Sequence, residues 1–209
     1  MKTSIALKSL LGTAALTLPL IASAASTFTS GAGTLNATAT VNFTVVIPQF
    51  LYLRVGTGSP YATGTLATVN TTDLITFSPA VGAVGNGTAV VGVGGDLPGG
   101  GVETAAILGN GGNVTLVAAA TGALSDGAGD TISFTQITTT AVANAEPTLL
   151  AAPPLSDTTS SETVPATGKI VKADAKWTFG YLNTVTPPAG TYGGSAGNNG
   201  IVTYTATML

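Results

Sequence analysis

Few side chains in this sequence could carry out chemistry. The 209-residue chain contains no histidine and no cysteine, so carboxylates, hydroxyls and lysines are the reactive groups that remain. Ser-His-Asp and Cys-His nucleophilic arrangements are therefore excluded, as are nearly all zinc and copper sites. The acidic residues stand singly in turns, and no spacing places two carboxylates across a cleft. We predict no catalytic residue, no enzymatic activity and no cofactor.

One glycine loop carries two carboxylates close together, at Asp126 and Asp130. Calcium binds oxygen ligands on flexible loops of this kind, but it takes roughly six to eight of them. Asp and Gly are also ordinary residues of hairpin turns. The pattern favours a turn over a calcium site, and we predict no metal.

Aromatic residues are the remaining candidates for ligand binding, because their faces pack against the apolar faces of sugars. Trp177, Phe179 and Tyr181 fall on the apolar side of an alternating segment, which predicts core packing. Tyr61 and Tyr192 fall in turn-rich segments, where a ring is accessible. These two tyrosines are the candidates for a surface that binds glycans.

The elements that position these residues are predicted from period-two alternation. Over residues 35–47, apolar side chains alternate with Asn and Thr, and Val46 is the exception. Such alternation predicts a half-buried strand, which Pro48 ends or kinks. Its apolar side carries the candidate assembly residues Leu35, Val41, Phe43, Val45 and Ile47.

Further strands are predicted at residues 50–55, 74–77, 89–93, 114–118, 131–137, 171–181 and 201–209. Turns rich in Gly and Asn separate them. The last strand places Val202, Tyr204 and Met208 on one side. Residues 102–108 or 141–150 are expected to hold at most a short helical turn, and residues 146–165, with four prolines, a long surface loop or crossover. The pattern predicts an all-β, immunoglobulin-like antiparallel sandwich with Greek-key or meander connections.

The N-terminus has the three-part pattern of a secretory signal peptide over residues 1–24. Lys2 and Lys8 precede an apolar run over residues 10–21, and the small residues Ala22-Ser23-Ala24 follow it. We expect residues 25–209 to form one exported domain without a transmembrane segment. Losing the two lysines changes the formal charge from -3 to -5, which argues against nucleic acid as a partner.

Both ends of the exported chain resemble known surface proteins. The Thr-rich alternating segment 35–47, the turn Pro188-Ala189-Gly190-Thr191-Tyr192 and the strand 201–209 are similar to chaperone-usher-type fimbrial subunits and spore-coat-protein-U-like subunits. This resemblance implies an incomplete sandwich whose missing strand comes from a neighbouring subunit, with a periplasmic chaperone guiding assembly. The chain departs from the family's pattern in lacking a disulfide near the first strands.

Two functions follow as hypotheses. The first is a non-catalytic structural subunit of a bacterial surface appendage or coat, exported through the periplasm and assembling by β-strand addition with itself or related subunits. Residues 35–47 are then either the donor strand or an internal strand. The second is a monomeric secreted module for binding or adhesion that recognises surface glycans through Tyr61 and Tyr192.

Overall fold

The computed structural model describes residues 26–58, 61 and 71–208. The predicted signal peptide lies outside these residues. The chain divides into two units, Met1–Ile47 and Pro48–Leu209. Each unit is described by itself, and the strands lie in the second.

The second unit is all-β, as the alternation predicted, with short single-turn 3-10 helices at Phe134–Gln136 and Ala196–Asn198. Its strands are β1 Leu51–Val55, β2 Ile75–Thr76, β3 Val90–Val91, β4 Val93–Gly94, β5 Val102–Gly109, β6 Val114–Ala119, β7 Leu124–Ser125, β8 Thr131–Ile132, β9 Ile137–Val142, β10 Thr148–Leu149, β11 Thr159–Val164, β12 Val171–Tyr181 and β13 Thr203–Met208.

The larger sheet, here called the first sheet, is built around β12. It runs in the order β1-β5-β12-β10, and β9 and β3 also pair with β12. The long strand β12 reaches all these partners because one edge pairs with β5 and then β3, and the other edge pairs with β10 and then β9. The second sheet has three antiparallel strands in the order β11-β6-β13. Two small antiparallel pairs, β2-β4 and β7-β8, complete the described strands.

Both sheets contribute side chains to one hydrophobic core. Ile107 of β5 and Leu116 of β6 are fully buried in it. The indole of Trp177 is also fully buried, donates a hydrogen bond of 2.8 Å to the Leu150 carbonyl, and lies 5.4 Å from the ring of Tyr204 in the second sheet. Phe179 and Tyr181, the other predicted core aromatics, are buried as well. The aromatic side of β12 therefore joins the two sheets.

The structure corrects two expectations in the middle of the chain. Residues 102–108, expected to hold at most a helical turn, belong to β5, which is buried on both faces and so shows no alternation. The proline-rich segment 146–165 contains β10 and β11 as well as loop. Leu150 and Val164 in that segment are buried in the core, so part of it is structural rather than surface.

The structure also changes the expectation for residues 35–47. Apart from a single bridge residue at Thr40, residues 26–50 contain no strand. The apolar side chains expected to be half-buried are instead exposed. A β-strand needs a neighbouring edge for its hydrogen bonds, and alternation alone does not say which chain supplies that edge.

Within the described residues, no helix is long and apolar enough to cross a membrane.

Candidate assembly site

Residues 41–47, here called the arm, present a row of exposed apolar side chains. Val41, Phe43, Val45 and Ile47 are 75%, 84%, 82% and 76% exposed. Leu35, upstream of the arm, is 48% exposed. Contiguous exposed apolar surface of this kind typically marks a site of interaction.

The backbone of the arm is also available. None of residues 41–47 belongs to a strand or bridge in the described structure. Backbone N–H and C=O groups outside secondary structure are not committed to a ladder, and they can form one wherever an open strand edge is offered. The arm therefore has both the polar and the apolar groups that a new strand requires.

Strand β13 has one unpaired side in the described chain. Among the described strands, β13 pairs with β6 alone, so its other edge has no ladder. Side chains along β13 alternate: Thr203, Thr205 and Thr207 are exposed, whereas Tyr204 and Met208 pack against the core and remain half-buried. Val202 is half-buried and precedes the strand. The predicted C-terminal strand is thus an edge strand with an apolar inner face.

The core is incompletely covered beside this edge. In the first sheet, β1 pairs only with β5 in the described residues, and its inner side chains Leu51, Leu53 and Val55 are half-buried. In contrast, inner side chains such as Leu116 of β6 are fully buried. Core residues on β1 and β13 thus retain exposed surface that those on the central strands lack.

Strands β1 and β13 border the same opening, here called the open edge. A methyl group placed on Gly109 would lie 3.0 Å from the Met208 sulfur and 3.3 Å from the Leu51 Cδ1 atom. Both side chains thus reach one point between the two sheets. The Met208 sulfur also accepts a hydrogen bond of 3.1 Å from the Gly111 amide. An added strand along β13 would cover apolar side chains from both sheets.

Two carboxylates, those of Asp73 and Glu103, lie beside Gly56, directly after β1. A Cβ on Gly56 would overlap an Asp73 oxygen and a Glu103 oxygen, and the Gly56 backbone has a positive φ of 75°. Burial, followed by repulsion from Asp73 and Asp96, raises the pKa of Glu103 to about 7. No group of three or more acidic residues that could hold a metal occurs in the described chain. Sequence spacing did not reveal this cluster.

Asp126 satisfies its own loop. One of its carboxylate oxygens accepts hydrogen bonds from the amides of Ala128, Gly129 and Asp130 at 2.8, 3.1 and 3.0 Å. Those bonds, led by the one from Ala128, lower the pKa of Asp126. The arrangement is that of a carboxylate-stabilised turn.

The two candidate glycan-binding tyrosines differ in their surroundings. Tyr192 is half-buried, and its hydroxyl donates a hydrogen bond of 2.8 Å to the carbonyl of Pro188. Tyr61 is 40% exposed and stacks on Phe50, with ring centroids 5.4 Å apart. Only Tyr61 of this pair lines a cavity described below.

Comparisons of the chain with protein-family models, with curated proteins and with solved structures give no significant match.

Proposed function

We propose that this protein is a non-catalytic structural subunit of a bacterial surface appendage or coat, which assembles when the arm of one copy adds as a strand to β13 of another. The observation that carries the proposal is that one chain contains both an exposed, alternating apolar arm and an edge strand beside an incompletely covered core. Strand addition supplies ladder hydrogen bonds, and alternate side chains fill the pockets along the edge.

The two parts agree in length and pattern. The arm spans residues 41–47, and β13 spans the six residues Thr203–Met208. The arm presents apolar side chains on one side at every second residue, and Asn42, Thr44 and the exception Val46 on the other. Laid along β13, the apolar side would continue the inner face of Tyr204 and Met208, and the polar side would continue the outer row of threonines.

Export and protection before assembly follow from the same features. The predicted signal peptide directs the chain through the periplasm, and a surface poor in charge but rich in hydroxyl and amide groups suits an extracellular structure. An exposed apolar arm and an open edge are liable to pair prematurely. A periplasmic chaperone that covers the open edge would prevent this, and it belongs to the proposal as a partner.

The first test is the size of the protein from Ala25 onward, measured by light scattering at increasing concentration and after prolonged incubation. We expect growth into species far larger than a monomer. A particle that stays at the monomer mass over the whole concentration range would refute the proposal.

The second test locates the contact by disulfide formation. The chain has no native cysteine that could form a competing disulfide. One sample carries Thr44→Cys on the arm, and the other carries a single cysteine at Thr203, Thr205 or Thr207 on β13. Directly opposite strand residues have Cα separations within the range that disulfides bridge. We expect a disulfide-linked dimer between the mixed samples for at least one β13 position. The matched control pairs Thr44→Cys with Ser161→Cys on β11, the other edge of the second sheet, and should give none.

A further inference from the structure

The outer face of the first sheet carries a cavity of about 450 Å³. Its floor is set by strand register, which places Arg54 of β1, Ala106 of β5 and Asp174 of β12 in one row across the sheet. The small side chain of Ala106 leaves space between the two charged residues, which lie about 10 Å apart at two strand spacings. The volume is in the range of pockets that hold small ligands.

A cation in this cavity lacks a charged partner. The Nε atom of Arg54 is buried without a hydrogen-bond partner, and its Nη1 donates only a long bond of 3.4 Å to the Gly58 carbonyl. Within the described chain, no carboxylate forms a salt bridge with Arg54. Leaving a buried donor unsatisfied costs free energy, more so for a charged group. Arg54 thus lines the cavity without a carboxylate partner in the described chain.

The acids of the cavity wall are already satisfied. Lys172 pairs with Glu146 at 2.8 Å. The Asp174 oxygens accept hydrogen bonds from the Asn144 side chain and from the amides of Ala145 and Glu146, at 2.9 to 3.1 Å. Burial raises the pKa of Asp174, but these bonds outweigh it and lower the pKa overall. Asp174 therefore holds the wall loop in place, and its hydrogen-bonding capacity is used there rather than on Arg54.

Aromatic rings line the same cavity beside Arg54. Tyr52 shares the outer face of β1 with Arg54, and Tyr61 lies 5.5 Å from Tyr52 with the rings inclined at 49°. Tyr61 keeps its stack with Phe50, at an interplanar angle of 5°. Two inclined tyrosine rings offer an amphipathic surface on which the apolar face of a sugar can pack.

We propose that this cavity binds an acidic saccharide, a sugar ring bearing a carboxylate, with the carboxylate on Arg54 and the sugar ring against Tyr52 and Tyr61. The planar fork of arginine matches a carboxylate in a bidentate geometry. The apolar face of the sugar covers the rings, and its hydroxyls reach the polar rim at Lys172 and Glu146. The inference is independent of assembly, because the cavity residues all lie in the second unit, on the face opposite the core.

The test uses two probes of equal length that differ in the carboxylate, short oligomers of galacturonic acid and of galactose. Binding to the whole exported chain is measured by titration calorimetry, with ligand-observed NMR for weak binding. We expect the uronate to bind about tenfold more tightly or better, since a hydrogen-bonded charge contributes roughly 1.5–3 kcal/mol. Equal affinity for the two probes, or no binding of either, would overturn the proposal.

Matched variants assign the effect to the cavity. Arg54→Gln should remove the preference for the uronate, and Arg54→Lys should restore only part of it because the fork is lost. Lys176→Gln removes the same charge from the exposed side of β12 outside the cavity and should leave the preference intact. An equal loss in Arg54→Gln and Lys176→Gln would show attraction to net charge alone and would overturn the assignment.

The rings and the anion have separate controls. Tyr61→Ala should weaken the binding of both probes about tenfold, whereas Tyr192→Ala, outside the cavity, should not.

Inorganic phosphate serves as a competitor. Displacement of the uronate only at a large excess of phosphate supports a saccharide site, and displacement at equimolar phosphate would show a general anion site instead. Thermal unfolding of each variant verifies the fold, and Arg54→Gln should lower the melting temperature only slightly, because the one printed hydrogen bond of Arg54, from Nη1 to the Gly58 carbonyl, is long at 3.4 Å.

Discussion

Two neighbouring valines of the arm provide a sharp test of strand addition. Val45 and Val46 are chemically identical and almost equally exposed, at 82% and 85%. In an extended strand they point to opposite faces, and only Val45 shares a face with Phe43. If the arm fills the open edge of another copy, Val45 becomes buried on assembly and Val46 does not. If the arm instead associates by non-specific hydrophobic contact, substituting either valine should weaken assembly equally.

The magnitude follows from the exposed surface. Val45→Ala removes about two methylene equivalents, at ~0.8 kcal/mol each, so the contact should lose about 1–2 kcal/mol, or ~5- to 30-fold in affinity. Val46→Ala should change affinity by at most about twofold, the effect expected of a surface substitution. A charge on the inner face has a larger effect, because it cannot be desolvated cheaply. Phe43→Asp or Val41→Asp should therefore abolish assembly.

The assay is the concentration at which half of the protein becomes polymeric, measured by sedimentation of each variant. Urea unfolding of the monomer serves as the control, and both alanine variants should unfold within about 0.5 kcal/mol of the original protein, because neither side chain is buried in its own chain. Equal shifts for Val45→Ala and Val46→Ala would refute the face-specific contact. So would a Val45→Ala variant that assembles as readily as the original chain.

Three further predictions concern stability and use urea unfolding. Between pH 4.5 and about 7, folded Glu103 holds more protons than the unfolded chain, so stability should fall as pH rises, by roughly 1–3 kcal/mol after solvent screening, and Glu103→Gln should flatten this slope. Asn183→Ala should cost about 2–4 kcal/mol, because this buried side chain bonds to Ala83, Gly85 and neighbouring loop residues. Trp177→Phe should cost about 1–3 kcal/mol, because the Leu150 carbonyl loses its donor.

Alternation predicted some of the strands that have one face in the core, but it missed β9, whose Ile137 and Ala141 pack against the core. Residues 171–181 form β12 with the predicted bounds and the predicted aromatic side buried, and β13 keeps Tyr204 and Met208 on one side, as predicted. β5 was missed because burial on both faces replaces alternation with a continuous apolar run that resembles a short buried helix. β11 was missed because its TSSETV sequence is polar, and its pairing with β6 rather than its own composition makes it a strand.

The candidate sites were only partly predictable, for a reason that lies in long-range register. The alternation of residues 35–47 marked the apolar side chains, but it could not tell an internal strand from an exposed arm. The sequence did not mark Arg54 and Glu103 as site residues, because the role of each depends on neighbours that only the fold brings close. Ala106 stands next to Arg54 through the pairing of β1 with β5, and Asp73, which is distant in sequence, approaches Glu103. Local sequence spacing encodes neither contact.

Strand β1 separates the two proposed activities by its alternation. Leu51, Leu53 and Val55 point inward to the open edge, whereas Tyr52 and Arg54 point outward to the cavity. Strand addition at β13 would cover the inner row and leave the outer row accessible, so one subunit could assemble and bind at once. A polymer would then carry one cavity per subunit, and linked sites raise overall avidity by roughly 10²–10⁴ without a new contact. Weak binding of a single saccharide by the monomer is thus compatible with firm attachment of the assembled form. The ratio of the polymer's affinity to the monomer's affinity for a saccharide-bearing surface tests assembly and binding together.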